Sequence, residues 1–252
     1  MFIMKSTLIK SAKESGKLLM KNFGKIQHTK IKDKTSLVTN VDFESDRLIK
    51  KIIQSKFPKH NIISEETSKI DNGSEYTWYI DPVDGTHNYS RCLPLFGVSV
   101  ALEHKGKIIL GAVNLPYLKR FYFAEKGKGA YCNNKKIKVS AQSSMDFAFI
   151  ILDMNNRARM KSVKFVEKLS SSLADIRNFG CAVYGLAEVA QGNIDAYVIQ
   201  KTNSWDVAAS FLLVEEAGGK VTNHKNNKWS IDEESFIVSN GKLHNALLKY
   251  IE

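Results

Sequence analysis

Apolar residues along this chain first recur at helical spacing, then crowd into short β-rich runs, and finally alternate between the two. Leu8, Ala12, Leu19 and Phe23 fall on one face, so residues 5–23 read as an amphipathic helix. A second helix is expected from Asp42 to Phe57, with Phe43, Ile49, Ile52 and Ile53 toward the core and Pro58 as its stop. Residues 61–63 and 76–80 read as short strands. From Phe96 the runs "FGVSVALEH", "KIILGAVNL" and "KRFYFAEKG", separated by "HKGK" and "PYL", predict an antiparallel meander. A strand over 147–152 follows. Helices are then expected over 161–173, 182–191, 206–217 and 241–250, alternating with strands over 175–179, 194–199 and 236–239. Gly218-Gly219 is a natural helix stop. There is no internal repeat and no low-complexity linker. The expectation is one domain over 1–252, meander-rich to about residue 145 and alternating from about 146.

Composition narrows the class. The 252 residues are 43% hydrophobic and 25% charged, the balance of a globular protein with room for a sizeable core. The net charge of +11 suits an anionic partner such as a phosphorylated metabolite, a nucleic acid or a membrane face. The lysines are spread along the chain and interleaved with acids, without a basic block, so a nucleic-acid partner is not expected. Cys92, Cys132 and Cys181 are odd in number and far apart, which argues against a disulfide framework or a zinc site. Lys5, Lys10 and Lys13 interrupt the apolar N-terminus, and no apolar stretch is long enough to cross a bilayer. These features predict a cytoplasmic protein with no membrane partner.

Four stretches could carry chemistry. "WYIDPVDGTHNYSRCLP" puts Asp81 and Asp84 at the end of a strand, with Pro82 between them and Gly85-Thr86 after them. Strand ends are where α/β folds tend to place ligands, and two close carboxylates need a cation or a proton between them. A hard, oxygen-ligated ion such as magnesium fits, although a solvated turn would have the same sequence. "NIISEETSK" ends an apolar run with Glu65 and Glu66. In "NSWDVAASFLLVEEAGGKV", Ser204 can cap a helix and Asp206 sits in its first turn among apolar neighbours. In "SLVTNVDFESD", Thr39 and Asp42 have capping-box spacing.

Together, and in this order, the four resemble the magnesium-dependent, lithium-sensitive inositol monophosphatase family. Its first signature, Trp-x-Ile-Asp-Pro-(Ile/Val/Leu)-Asp-Gly-Thr-x-Asn-(Phe/Tyr), is met by Trp78 to Tyr89. Its second is met by Trp205 to Ala209 and Glu216 to Gly219, its Glu-Glu pair by Glu65-Glu66, and its Val-Thr-x-x-Asp element by Val38 to Asp42. The resemblance implies an α+β fold, a layered α-β-α-β-α sandwich, commonly homodimeric, that hydrolyses a phosphate monoester with two or three Mg2+ ions. It implies that Glu65, Asp81 and the Val83 carbonyl hold one ion, and that Asp81, Asp84 and Asp206 hold a second. Gly85 and Thr86 would offer backbone N–H groups to the phosphate. The Gly180-Cys181-Ala182 segment would open a helix beside the substrate, whose binding surface would also take in Val83, Asp84 and Asp206. Glu65 and Thr86 would orient a metal-acidified water, and Asp42 would accept the Thr86 hydroxyl proton.

The implied substrate is inositol 1-phosphate or a related polyol or sugar phosphate. Fructose 1,6-bisphosphate, histidinol phosphate and a 3′-phosphoadenosine nucleotide are the alternatives within the same chemistry. A moonlighting role in binding RNA or transcription machinery is the alternative outside it. Relatives that act on inositol phosphate often carry a glutamate where this chain has Ile199, and His87 stands where threonine is common.

Overall fold

The computed structural model describes residues 1–25, 29–31, 37–154 and 158–251, the side chains of 29–31 excepted. In chain order the elements are α1 (Phe2–Asn22), β1 (Thr29–Ile31), β2 (Leu37–Thr39), α2 (Asn40–Gln54), β3 (Asn61–Ser64), β4 (Tyr76–Asp84), α3 (Thr86–Ser90), β5 (Gly97–His104), β6 (Lys107–Leu115), β7 (Arg120–Glu125), β8 (Gly129–Cys132) and β9 (Lys135–Lys136). Then come β10 (Phe149–Leu152), α4 (Arg159–Leu169), β11 (Asp175–Arg177), α5 (Ala182–Gln191), β12 (Ala196–Ile199), α6 (Ser204–Glu216), β13 (Lys220–Asn223), β14 (Phe236–Ser239) and α7 (His244–Leu248).

Two sheets organise the fold. The first has seven strands in the sequential order β3 to β9, with only the β3–β4 pair parallel. The second runs β11-β10-β12-β14-β13, parallel across its first three strands and antiparallel thereafter. The two-residue period of a strand decides what each face buries. Trp78 and Ile80 pack with Leu8, Ala12, Ile49 and Ile53 of α1 and α2, whereas Tyr79 between them faces α5 and α6. In the second sheet Ile151, Tyr197 and Val238 face that same α5–α6 layer. Ile150, Val198 and Ile237 turn outward to Phe165 and Leu169 of α4, Leu247 of α7 and Leu243 just before it. The outcome is five layers, α-β-α-β-α, as the sequence led us to expect. Among the described residues no helix is long and apolar enough to cross a membrane.

Several boundaries differ from expectation for local reasons. The last helix is only His244–Leu248, because Gly241 takes φ +83° and the Asn240 side chain accepts the Lys242 and Leu243 N–H groups in a turn. α4 stops at Leu169, where Ser172 Oγ donates to the Leu169 carbonyl. Phe23 lies just past α1, half-buried and stacked on Phe96 at 4.9 Å. Phe43 and Ile52 are half-buried rather than core residues, while Ile49 and Ile53 are fully buried.

Candidate active site

β4 runs to Asp84 but does not stay regular. Asp81 pairs with Ser99 and Asp84 with Gly97, three steps on one strand against two on the other, so an extra residue bulges out between the carboxylates. Pro82 fits there because a bulge needs no ladder N–H from it. The Pro82 carbonyl accepts from Ser45 Oγ at 3.1 Å, and Ser45 meets Ser15 at 2.6 Å, so α1 and α2 both pin the bulge. Asp81 is 1% exposed, and its Oδ1 accepts the Val83 N–H at 3.0 Å.

Gly85 then turns the chain into α3 with φ +81°. Any Cβ here would stand 2.8 Å from the Leu95 carbonyl oxygen and 3.1 Å from Cys181 Cβ, so conformation and space both require glycine. Asn88 ties the turn to its neighbours through Nδ2, which donates to the carbonyls of Leu95 at 2.9 Å and Phe179 at 2.7 Å. That bond seats the Gly180–Ala182 segment against α3. Cys181 caps α5 without a side-chain hydrogen bond to the helix. Its Sγ lies 3.2 Å from Asp84 Oδ2, which accepts the Val183 N–H at 2.6 Å. The first turn of α5 thus holds the Asp84 carboxylate, a favourable place for negative charge.

Thr39 and Asp42 form the expected capping box on α2. Asp42 is 1% exposed. Its Oδ2 accepts from both the backbone N–H and the hydroxyl of Thr39, and its Oδ1 lies 3.0 Å from Thr86 Oγ1. The same Thr86 oxygen lies 2.9 Å from the Val83 carbonyl. One hydroxyl proton cannot serve both acceptors. An ionised Asp42 is the stronger of the two, which leaves the Val83 carbonyl with free lone pairs.

On α6 the capping residue is Asn203 rather than Ser204, and Asp206 closes the box from the third helical position. Asp206 Oδ2 takes the Asn203 N–H at 3.0 Å and the Thr202 hydroxyl at 2.9 Å. Its carboxylate also joins a cluster in which ligand atoms of Glu65, Asp81 and Asp206 lie within 4.8 Å of one another.

Glu65 is positioned by a buried network that sequence reading missed. Asp46, 0% exposed, accepts from Ser64 through Oδ1 and from Thr67 at 2.9 Å through Oδ2, and Lys50 lies 3.3 Å from Oδ2. Lys50 also contacts the Thr67 hydroxyl. Ser64 and Thr67 flank Glu65-Glu66, so α2 fixes the backbone on both sides of the acids.

These groups surround a cavity of about 430 Å3. Glu65, Asp81, Val83, Asp84, Gly85, Thr86, Gly180, Cys181, Ala182 and Asp206 all line it, while Asp42 stands behind Thr86 rather than in the wall. Ile199 is also in the wall and offers nothing to bond a hydroxyl. Arg159 and Lys201 line the same cavity. Sequence reading had no signal for either, since each is one of 37 basic residues with nothing distinctive beside it.

Electrostatics set the chemical demand of the cavity. Burial first, and the charges of Glu65, Asp84 and Asp206 next, raise Asp81 well above the ordinary carboxylate range. Burial likewise pushes Asp84 up to about 6 and Asp206 up to about 7, with the Glu65 charge adding to each. Such a group is stable only with protons or a cation among its oxygens. The donors are carboxylates with a backbone carbonyl alongside, the set a hard divalent cation takes, so the residues fit the metal the sequence implied.

With the site laid out, comparison with known proteins decides its family. The inositol monophosphatase family pattern matches residues 4–252. The chain belongs to that family. It is 34% identical over 251 residues to the fructose-1,6-bisphosphatase/inositol-1-monophosphatase of Aquifex aeolicus, covering 96% of this chain and 94% of that protein. A Thermotoga maritima IMPase structure superposes with a TM-score of 0.88 at 33% identity, covering 96% of this chain and 94% of the other. The extragenic suppressor protein suhB of Bartonella henselae gives a TM-score of 0.93 at 28% identity, covering 97% and 96%. This inositol monophosphatase family member is therefore a phosphoric monoester hydrolase, from a family that is generally metal-dependent.

Proposed function

We propose that the protein hydrolyses inositol 1-phosphate or a related small polyol or sugar phosphate with Mg2+, releasing the alcohol and inorganic phosphate. The observation that carries this reading is the Glu65–Asp81–Asp206 cluster, buried at Asp81 and half-buried at the other two, opening into the same cavity as the Gly85–Thr86 turn. Glu65, Asp81 and the Val83 carbonyl would hold one ion, and Asp81, Asp84 and Asp206 a second. Bound there, magnesium would supply an acidified water and neutralise charge on the leaving oxygen. The chain's own groups do the rest. Asp42 accepts the Thr86 proton, so the Thr86 oxygen keeps a lone pair turned toward the cavity to receive a proton from water. Glu65, in the wall of the same cavity, orients that water. The Gly85 and Thr86 N–H groups, at a turn no side chain can crowd, receive the phosphate oxygens.

Arg159 and Lys201 favour a second substrate reading, a sugar bisphosphate whose distal phosphate they would meet. The name of the Aquifex aeolicus relative points the same way. The apolar wall at Ile199 supports breadth, because such a wall discriminates weakly among polyols. A homodimer is supported by apolar side chains left exposed on one side of the fold: Met160 and Val163 on α4, with Phe147 and Leu173 near it.

The test is phosphate release from inositol 1-phosphate, glycerol 2-phosphate, fructose 1,6-bisphosphate, histidinol phosphate and 3′-phosphoadenosine nucleotides, in Mg2+ and in EDTA. Turnover of the polyol and sugar phosphates in Mg2+, with none in EDTA, is the expected result. Full activity in EDTA would refute the metal assignment, and a nucleotide-only profile the substrate class. Lys201→Met should lower kcat/KM for fructose 1,6-bisphosphate about three- to tenfold relative to glycerol 2-phosphate, less than a buried charge-assisted bond would give, because Lys201 is partly exposed. An unchanged ratio would remove Lys201 from substrate recognition.

A further inference from the structure

Strand alternation continues past the end of β12. Ile199 and Lys201 face the catalytic cavity, and Gln200 between them faces the opposite side of the sheet. There it helps to line a separate cavity of about 240 Å3, together with Lys161, Lys164 and Lys168 of α4, His224 and Tyr250. Four features make this cavity more than a charged surface.

Gln200 is only 5% exposed, yet no hydrogen bond is made by its side-chain amide among the described residues. The amide atoms are not sealed from solvent, so they open into the cavity and are available to bond an occupant there. Lys161 and Lys164, one helical turn apart, have no carboxylate partner among the described residues. Lys168 extends the row by another turn, so the three span about 10 Å of helix. His224 is fixed, since its Nε2 donates to the Phe236 carbonyl at 3.3 Å. Burial holds that ring below the ordinary imidazole range, and the nearby Lys161 charge acts in the same direction.

The cavity is smaller than the roughly 300–1,000 Å3 of sites for drug-sized ligands, so it suits a compact occupant. Its donors are ammonium groups in a row plus one amide, and none of the described residues on the wall is acidic. Ammonium groups bind phosphate as point charges, and a row of them matches a row of phosphates. We infer that this cavity binds a small diphosphate-type anion at a site distinct from the catalytic one, through Lys161, Lys164 and the Gln200 amide. An occupant there would sit across the backbone from Ile199 and Lys201, in the wall of the catalytic cavity.

The probe is inorganic pyrophosphate, titrated calorimetrically into the full chain in EDTA, which removes metal-mediated binding in the catalytic cavity, with Lys201→Met reporting any binding that remains there. The expected result is one saturable site per chain, with orthophosphate at least about tenfold weaker because it has a single anionic centre. Lys161→Met/Lys164→Met and Gln200→Glu should each weaken pyrophosphate binding by tenfold or more. The near-isosteric Gln200→Leu should weaken it measurably while the melting temperature holds. Lys201→Met in the catalytic cavity, and Lys135→Met/Lys136→Met on exposed β9, should leave it unchanged. Several outcomes would overturn the inference: no saturable binding, equal affinity for orthophosphate, full affinity in Gln200→Leu, or equal losses from the Lys135/Lys136 pair. The last two would mean diffuse surface charge.

Discussion

Asp84→Asn is expected to reduce turnover by about two to three orders of magnitude, as the loss of several kcal/mol of transition-state stabilisation predicts, and to make the metal-free protein more stable at alkaline pH. The two effects share one cause. Asp84 is held between the first turn of α5 and its carboxylate neighbours, and burial pushes its pKa up to about 6. An unfolded aspartate titrates near 3.9. The folded, metal-free chain therefore keeps a proton that the unfolded chain has already released between about pH 4 and pH 6. Asp84's contribution to stability is complete below pH ~4 and disappears as the pH rises through about 6. Asparagine has no such dependence, and its amide oxygen can still accept the Val183 N–H. In EDTA the variant-minus-parent difference in melting temperature should grow from pH 5 to pH 8. The ceiling is about 3 kcal/mol, since one pKa unit corresponds to roughly 1.4 kcal/mol. In a chain of this size that is several degrees. In Mg2+ the sign should reverse, because the parent gains a ligand for the ion and the variant does not. Calorimetry at both pH values, with and without the ion, reads all four conditions. A variant that melts well below the parent in EDTA at pH 8 would make Asp84 a structural residue.

How much of this was legible beforehand depended on whether the physics is local. Asp81, Pro82, Asp84 and Gly85 could be read together because one bulge and one turn demand them within five residues. The capping box of α2 could be read, and the start of α6 with an error of one residue at its cap, Asn203, because a cap spans only four positions. The strand Lys220–Asn223 could not, since it is four residues long, follows Gly218-Gly219, and is recruited into its sheet by pairing with the distant β14. β8 and β9 are likewise short, and pairing, of β8 with β7 and of β9 with β8, makes them strands. The Asp46–Lys50 network was hidden because it joins α2 to residues 64–67, where no sequence spacing encodes the contact. Arg159 and Lys201 acquire meaning only when α4 and the end of β12 converge on one cavity.

Asp42→Asn separates capping from catalysis, and the prediction is that turnover falls by about two orders of magnitude or more while stability barely changes. As a cap, asparagine is nearly as good as aspartate, and even complete loss of a cap costs only about 1 kcal/mol. Its amide oxygen can take the place of Oδ2 and accept the Thr39 N–H. Its NH2 group then occupies the place of Oδ1, 3.0 Å from Thr86 Oγ1, and donates where the carboxylate accepted. The Thr86 proton is forced onto the Val83 carbonyl, 2.9 Å away. That single reversal affects two of the proposed functions: Thr86 loses the lone pair turned toward water, and the Val83 carbonyl loses one meant for the ion. Two companion variants locate the effect. Thr86→Ala should resemble Asp42→Asn, and Thr86→Ser, which keeps the hydroxyl, should retain most of the parent rate. The apparent Mg2+ affinity should weaken in Asp42→Asn and hold in Thr86→Ser. Turnover in Asp42→Asn within a factor of two of the parent would leave Asp42 as a helix cap and nothing more.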